Sequence, residues 1–149
     1  MTDRTTRYQG AVIRDSRILL VKHTEHESGR SYWNLPGGGM ESGESEEECV
    51  RRELKEETDL DVKVLSLLLD ESAHPDSVYS FWKTYLCEAD SGEASVGYEP
   101  EADASSWYSI TEVKWFDLRD ESYWDAELVN DFISYEQLRR LRKKLGYLP

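Results

Sequence analysis

The stretch GGMESGESEEECVRRELKEETDL, residues 38–60, combines a strong helix signal with an unusual density of carboxylates. Ser45 followed by Glu48 fits a capping box, in which hydroxyl and carboxylate satisfy the backbone amides a helix start leaves open. Acids crowd the first turn, where the helix dipole favours them, and Arg51, Arg52 and Lys55 follow. Val50 and Leu54, four apart, supply an apolar stripe. The spacing predicts a helix over residues 44–58. Within it Glu53, Glu56 and Glu57 stand at i, i+3 and i+4, which puts three carboxylates on one face. Like charges so placed destabilise a helix unless something neutralises them. A hard divalent cation, Mg²⁺ or Mn²⁺, would do so and would keep waters for a phosphate to displace; a merely solvated acidic face is the alternative.

Upstream, Tyr32, Trp33, Asn34 and Leu35 read as a brief extended piece that runs through Pro36 into Gly37, Gly38 and Gly39. Glycines there predict a turn whose backbone can approach and face a ligand. Joined to the carboxylate helix, such a turn describes a site holding metal and phosphate together.

Further out, residues 8–14 and 17–22 are apolar runs separated by Asp15 and Ser16 and predict a β-hairpin. Residues 62–69 and 78–86 read as two more strands around the turn Ala73-His74-Pro75-Asp76. Residues 90–106, mostly Gly, Ala, Ser and acid, predict a mobile loop. Residues 113–117 form a last strand, and residues 124–132 and 135–145 two terminal helices, the second closed by Gly146.

At 149 residues, with 38% hydrophobic and 33% charged side chains, the chain is expected to form one globular domain over residues 1–149. The net charge of −13, from 18 bases against 31 acids, opposes generic binding to a phosphate backbone, so nucleic acid is not an expected partner. The basic run Arg139-Arg140-Leu141-Arg142-Lys143-Lys144 is what a helix C-terminus attracts by its dipole. No apolar run approaches the ~18 residues of a membrane span, and residues 1–7 lack the apolar core of a secretory signal. A cytoplasmic location away from membranes is therefore expected. Cys49 and Cys87 read as small packed hydrophobes, and His23, His26 and His74 share no zinc-ligand spacing.

The order Gly38, five residues, Glu44, seven residues, then Arg52-Glu53-Leu54-Lys55-Glu56-Glu57-Thr58-Asp59-Leu60 resembles the Nudix box, Gx5Ex7REUxEExGU with U aliphatic. One position departs: Asp59 stands where the family has glycine, at a helix end for which a left-handed residue is expected and Asp is modestly strained. The resemblance implies an α/β fold, a mixed β-sheet sandwiched between α-helices (α/β/α). It implies Mg-dependent hydrolysis of the diphosphate linkage in a small nucleoside diphosphate-X substrate, with Mn²⁺ as a possible substitute for Mg²⁺. Glu53, Glu56 and Glu57 would then hold the metal, helped by a main-chain carbonyl near Gly37 or Gly38, while Gly37, Gly38 and Gly39 would face the phosphates. Glu53 would orient or deprotonate water, Arg52 would fix a carboxylate and Glu44 would brace the loop. A further carboxylate from a later loop is common in the family; Glu112 is the candidate, with Glu99 and Glu101 behind it. Pro75, 15 residues beyond Leu60, has the spacing of ADP-ribose-hydrolysing members but lacks the glycine usual after it. Trp33, Tyr79, Phe81, Trp82 and Trp107 are candidates to stack on a base. The resemblance also leaves room for a homodimer, for a catalytically silent nucleotide-binding module and for an RNA 5′-end pyrophosphohydrolase.

Overall fold

The computed structural model describes residues 2–97 and 108–149. Among the described residues seven strands and three α-helices are ordered as β1 (Thr2–Arg14), β2 (Arg17–Glu25), β3 (Ser31–Asn34), β4 (Gly37–Glu41), α1 (Glu46–Thr58), β5 (Val62–Ser72), β6 (Phe81–Ala89), β7 (Tyr108–Asp117), α2 (Ala126–Val129) and α3 (Phe132–Lys144), with a 3-10 turn at Glu121–Tyr123 before α2. The spatial order is β3-β2-β1-β6-β5, with β4 added to β1 and β7 added to β2. Strand β1 runs parallel to β6 and antiparallel to β2 and β4, so the sheet is mixed. The expected hairpin is present but shallow. Asp15 and Ser16 adopt positive φ at its turn, yet only Ile13 with Ile18 and Arg14 with Arg17 pair across it. Most of β1 is paired with β4 and β6 instead, which gives its backbone N–H and C=O groups partners along both edges.

Successive residues of β2 point into different cores. Ile18 and Leu20 pack with Trp33, Phe116, Leu138 and Leu141 beneath α3. Leu19 packs with Val12, Cys49, Val50 and Leu54 beneath α1. An uninterrupted apolar run thus serves a sheet covered by a helix on each side, which is the α/β arrangement expected. Gly10 sets how closely α1 can lie. A Cβ there would come within 2.7 Å of Leu54 and 3.2 Å of Cys87 Sγ.

Three expectations need correction. Gly37, Gly38 and Gly39 are not an open turn but belong to strand β4, paired with Gln9, Tyr8 and Arg7 of β1. A Cβ on Gly37 would sit 2.2 Å from the Tyr8 carbonyl oxygen, so only glycine lets the two strands meet here. Helix α1 begins at Glu46 rather than 44, because Ser45 is its extended N-cap and forms the capping box with Glu48. Finally, the first part of the supposed mobile loop is tied down. Ser95 and Gly97 donate backbone N–H groups to the Thr58 and Glu57 carbonyls at 3.0 Å each, and Arg14 holds the Gly92 and Asp90 carbonyls. Carbonyls that end a helix must find donors, and this segment provides them. Glu99, Glu101 and Trp107 lie outside the described residues.

Candidate active site

Helix α1 turns Glu53 and Glu57 inward, onto the glycine strand, and both are wholly buried. Glu57 Oε1 accepts a hydrogen bond from the Gly37 amide at 2.9 Å. A Cβ on Gly38 would sit 2.5 Å from Glu53 Oε1, so the missing side chain is the space in which that carboxylate lies. The glycine run therefore makes room for carboxylates, a packing role that composition alone did not distinguish from a phosphate cradle.

Arg52 ties the cluster together. Its Nε and Nη2 donate to the two carboxylate oxygens of Glu44 at 2.6 and 3.0 Å, its Nη1 to Glu53 at 3.0 Å and to Glu56 at 3.2 Å, and its Nη2 also to the Gly39 carbonyl. Burial opposes the charge on Arg52, but the surrounding carboxylates outweigh it and raise its pKa further. Arg52 in turn holds the Glu44 carboxyl below its usual range, opposed by partial burial and helped by the Glu41 amide. Glu44 accepts from that amide at 2.8 Å, so it fixes the turn between β4 and α1. Three carboxylates, Glu44, Glu53 and Glu56, thus meet one guanidinium in direct contact, and Glu57 is held beside them by the Gly37 amide.

Among the described residues no three His, Cys, Asp or Glu side chains stand in a metal-enclosing arrangement, and Arg52 sits among the acids. The donor set nonetheless fits a hard cation. It is all carboxylate, carries excess negative charge and is backed by a strand stripped of side chains.

Glu112 is not brought to this cluster. It lies opposite Lys22 in the β2–β7 register, and Lys22 sits over the Trp33 ring and pairs with Glu112 at 3.8 Å and with Glu127 of α2 at 2.7 Å. That is the α3 side of the sheet, away from α1. Of the aromatic candidates, Trp33 is buried in the core against Phe116, and Phe81 is half-exposed outside the cavity described next. Asp59 adopts the left-handed conformation its position requires, φ 61° and ψ 17°, and its amide bonds the Lys55 carbonyl.

A cavity of about 440 Å³ opens on the α3 side of the sheet, lined by Arg7, His23, Tyr32, Tyr79, Trp82 and Tyr108 among others. Arg7 connects it to the carboxylates. Its Nη2 donates to the Leu35 carbonyl at 2.8 Å, two residues before the Gly37 amide that holds Glu57. Sequence reading missed Arg7 because the apolar pattern starts at Tyr8. The available signal was that alternation along β1 places Arg7 on the same face as Gln9 and Ala11, both buried.

A NUDIX domain model matches residues 4–132, nearly the whole chain, and the chain belongs to the Nudix family. It is 34% identical over 104 residues to the NAD-capped RNA hydrolase NudC of Vibrio parahaemolyticus, covering 69% of this chain and 38% of that protein. It is 48% identical over 59 residues to the ADP-ribose pyrophosphatase of Methanocaldococcus jannaschii, covering 40% of this chain and 34% of that one. The first curated relatives are longer, and the matched segments span only 26–44% of their length. A crystal structure of an ADP-ribose pyrophosphatase from Streptococcus suis shares the fold, with a TM-score of 0.67 at 21% identity over 97% of this chain and 91% of that one. No helix among the described residues is long and apolar enough to cross a membrane.

Proposed function

We propose that this chain hydrolyses the diphosphate linkage of a nucleoside diphosphate-X compound with the help of Mg²⁺, water attacking phosphorus. The observation that supports this most is the pair of wholly buried carboxylates, Glu53 and Glu57, on one face of α1 against a strand without side chains. Two such groups are costly to bury unless a cation compensates them. Glu53, Glu56 and Glu57 would hold the ion, with the Gly38 carbonyl as a further oxygen. When bound, the metal neutralises phosphate charge and lowers the pKa of a coordinated water.

The chain's own groups do the rest. The Gly37 amide and Arg52 hold Glu57 and Glu53 in place before substrate arrives, so neither must reorganise. Glu53 receives the proton of the attacking water. Arg52 and Glu44 are positioning residues, because their hydrogen bonds among the described residues run mainly to the cluster and to the turn that carries it.

A Mg²⁺-dependent screen across ADP-ribose, NAD, NDP-sugars, dNTPs and dinucleoside polyphosphates, with Glu57→Gln as the blank, tests the reading. Turnover of one class that is absent from the blank is expected. Saturable nucleotide binding without turnover of any member would instead make the chain a nucleotide-binding module.

A further inference from the structure

The three carboxylates proposed to hold the ion are not equally secured by α1 itself. Glu53 lies inside the helix, whereas Glu56 and Glu57 fall among its last residues, 56–58. A helix end leaves carbonyls without intrahelical donors, and it is where a helix frays first. Here the Lys55 carbonyl is served locally, by the Asp59 amide. The next ones are served from far along the chain. Gly97 donates its N–H to the Glu57 carbonyl and Ser95 donates its N–H to the Thr58 carbonyl, at 3.0 Å each.

The segment that supplies these donors is itself fastened at both ends. Arg14, at the end of β1, lies over the Trp115 ring, 5.0 Å from its centroid. Its Nη1 donates to the Gly92 carbonyl at 3.0 Å and its Nη2 to the Asp90 carbonyl. The planar fork of a guanidinium suits two carbonyls held side by side. Ala94 then packs on the apolar core beneath α1. Gly97 closes the other end. Its φ is not positive, so its conformation does not call for glycine. Its surroundings do: a Cβ there would overlap the Glu56 carbonyl oxygen and lie 2.8 Å from the Glu57 carbonyl carbon. Only a residue without a side chain lets the chain lie this close to the helix end.

We propose that residues 90–97 form a strap that holds the last turn of α1, and that Arg14 and Gly97 act through it as positioning residues for Glu56 and Glu57. The strap's hydrogen bonds to α1 run to main-chain carbonyls, and those of the Arg14 guanidinium run to the strap. Arg14 therefore influences a bound ion through the place where α1 ends. Groups that fix the ligands of a metal set its affinity by tenfold or more, although they never touch the ion. That the strap serves a cation rests on the hydrolase reading above, whereas its clamp on the helix does not.

The test compares the wild type with Arg14→Ala and Gly97→Ala, each checked for folding by far-UV circular dichroism. In metal-free hydrogen exchange read by NMR, the amides of residues 56–58 should exchange at least about tenfold faster in both variants, while those of residues 138–141 in α3 keep their rates. Mn²⁺ titration of the same apoproteins, followed by the free-ion electron paramagnetic resonance signal, should show binding weakened by about tenfold. In turnover assays the Mg²⁺ concentration for half-activation should rise by a similar factor, and kcat at saturating Mg²⁺ should stay within about twofold, because excess ion restores occupancy. A variant that had merely lost folded protein would lose kcat at every Mg²⁺ concentration. Gly97→Ala forces an overlap at the helix end, so Arg14→Ala, which acts at a distance from α1, decides the matter if the other fails to fold. Wild-type exchange at residues 56–58 in folded Arg14→Ala would overturn the proposal, as would faster exchange there with unchanged Mn²⁺ affinity. Faster exchange in a protein whose wild type binds no Mn²⁺ would sink the cation reading and leave the clamp on α1 standing. Mn²⁺ binding that weakens as expected, without hydrolysis of any substrate, would sink the hydrolase reading alone.

Discussion

Glu57 offers one carboxylate oxygen to the Gly37 amide and is otherwise enclosed, so changing its charge leaves its shape and that bond intact. Glu57→Gln should therefore keep the wild-type melting temperature within a few degrees and lower kcat on the order of 100-fold or more. Near-normal turnover at saturating Mg²⁺ would remove Glu57 from the site. Asp59 occupies a left-handed position that glycine adopts without strain, and its exposed ion pair with Lys55 at 3.5 Å adds little. Asp59→Gly should leave stability unchanged or raise it by up to about 1 kcal/mol, as read by thermal melting; a clear loss would show a further role for Asp59. For His23 the sign follows from the depressed pKa. Its folded value of about 3 lies below the ordinary 6.5, so the unfolded chain takes up the proton first. The stabilising contribution is complete above pH 6.5 and is lost toward pH 3, at up to about 1.4 kcal/mol per pH unit. Melting temperatures between pH 7 and 4 should fall more steeply for the wild type than for His23→Gln, and equal slopes would contradict the burial argument.

At the scale of elements, α1 and β4 form one unit in which the strand's lack of side chains is matched to the helix's excess of charge. Gly38→Ala places a methyl where the Glu53 carboxylate lies, and buried Glu53 has little room to move aside. Turnover should fall at least about tenfold while far-UV circular dichroism is retained; unchanged kcat would mean that Glu53 can shift without consequence. The helix itself was legible from its capping box, its acidic first turn and the i, i+3, i+4 spacing of three carboxylates, because each of these is a local property. The glycines were read as a turn because glycine reports only the absence of a side chain, and whether strand or ligand fills the space depends on contacts far along the chain. Arg7 escaped notice for the same reason. Its burial comes from β4, β6 and the cavity wall, which β1 meets only after folding. Glu112 had the right chemistry, but its position opposite Lys22 on the far sheet face is a matter of register that one strand's sequence does not reveal.

Across the whole molecule, a charge of −13 is distributed so that the excess acid gathers at α1, while several bases at the other end are already engaged. Arg140 pairs with Glu71 at 2.7 Å, and buried Arg142 binds the Leu118 carbonyl and Glu121 at 2.8 Å each. The basic run of α3 is thus largely part of the fold's own bonding, and the sheet separates it from the carboxylates. The two helical layers differ: α1 carries the charged groups proposed to do chemistry, and the α3 side carries the cavity lined by Arg7 and His23. That chemistry depends on the buried carboxylates of α1 being a cation site, which Mn²⁺ can report directly. Titration of the apoprotein with Mn²⁺, followed by loss of the free-ion electron paramagnetic resonance signal, should show saturable binding that is at least tenfold weaker in the Glu53→Gln, Glu57→Gln double variant. Equal Mn²⁺ affinity in the two folded proteins would show that the carboxylates of α1 do not hold the ion.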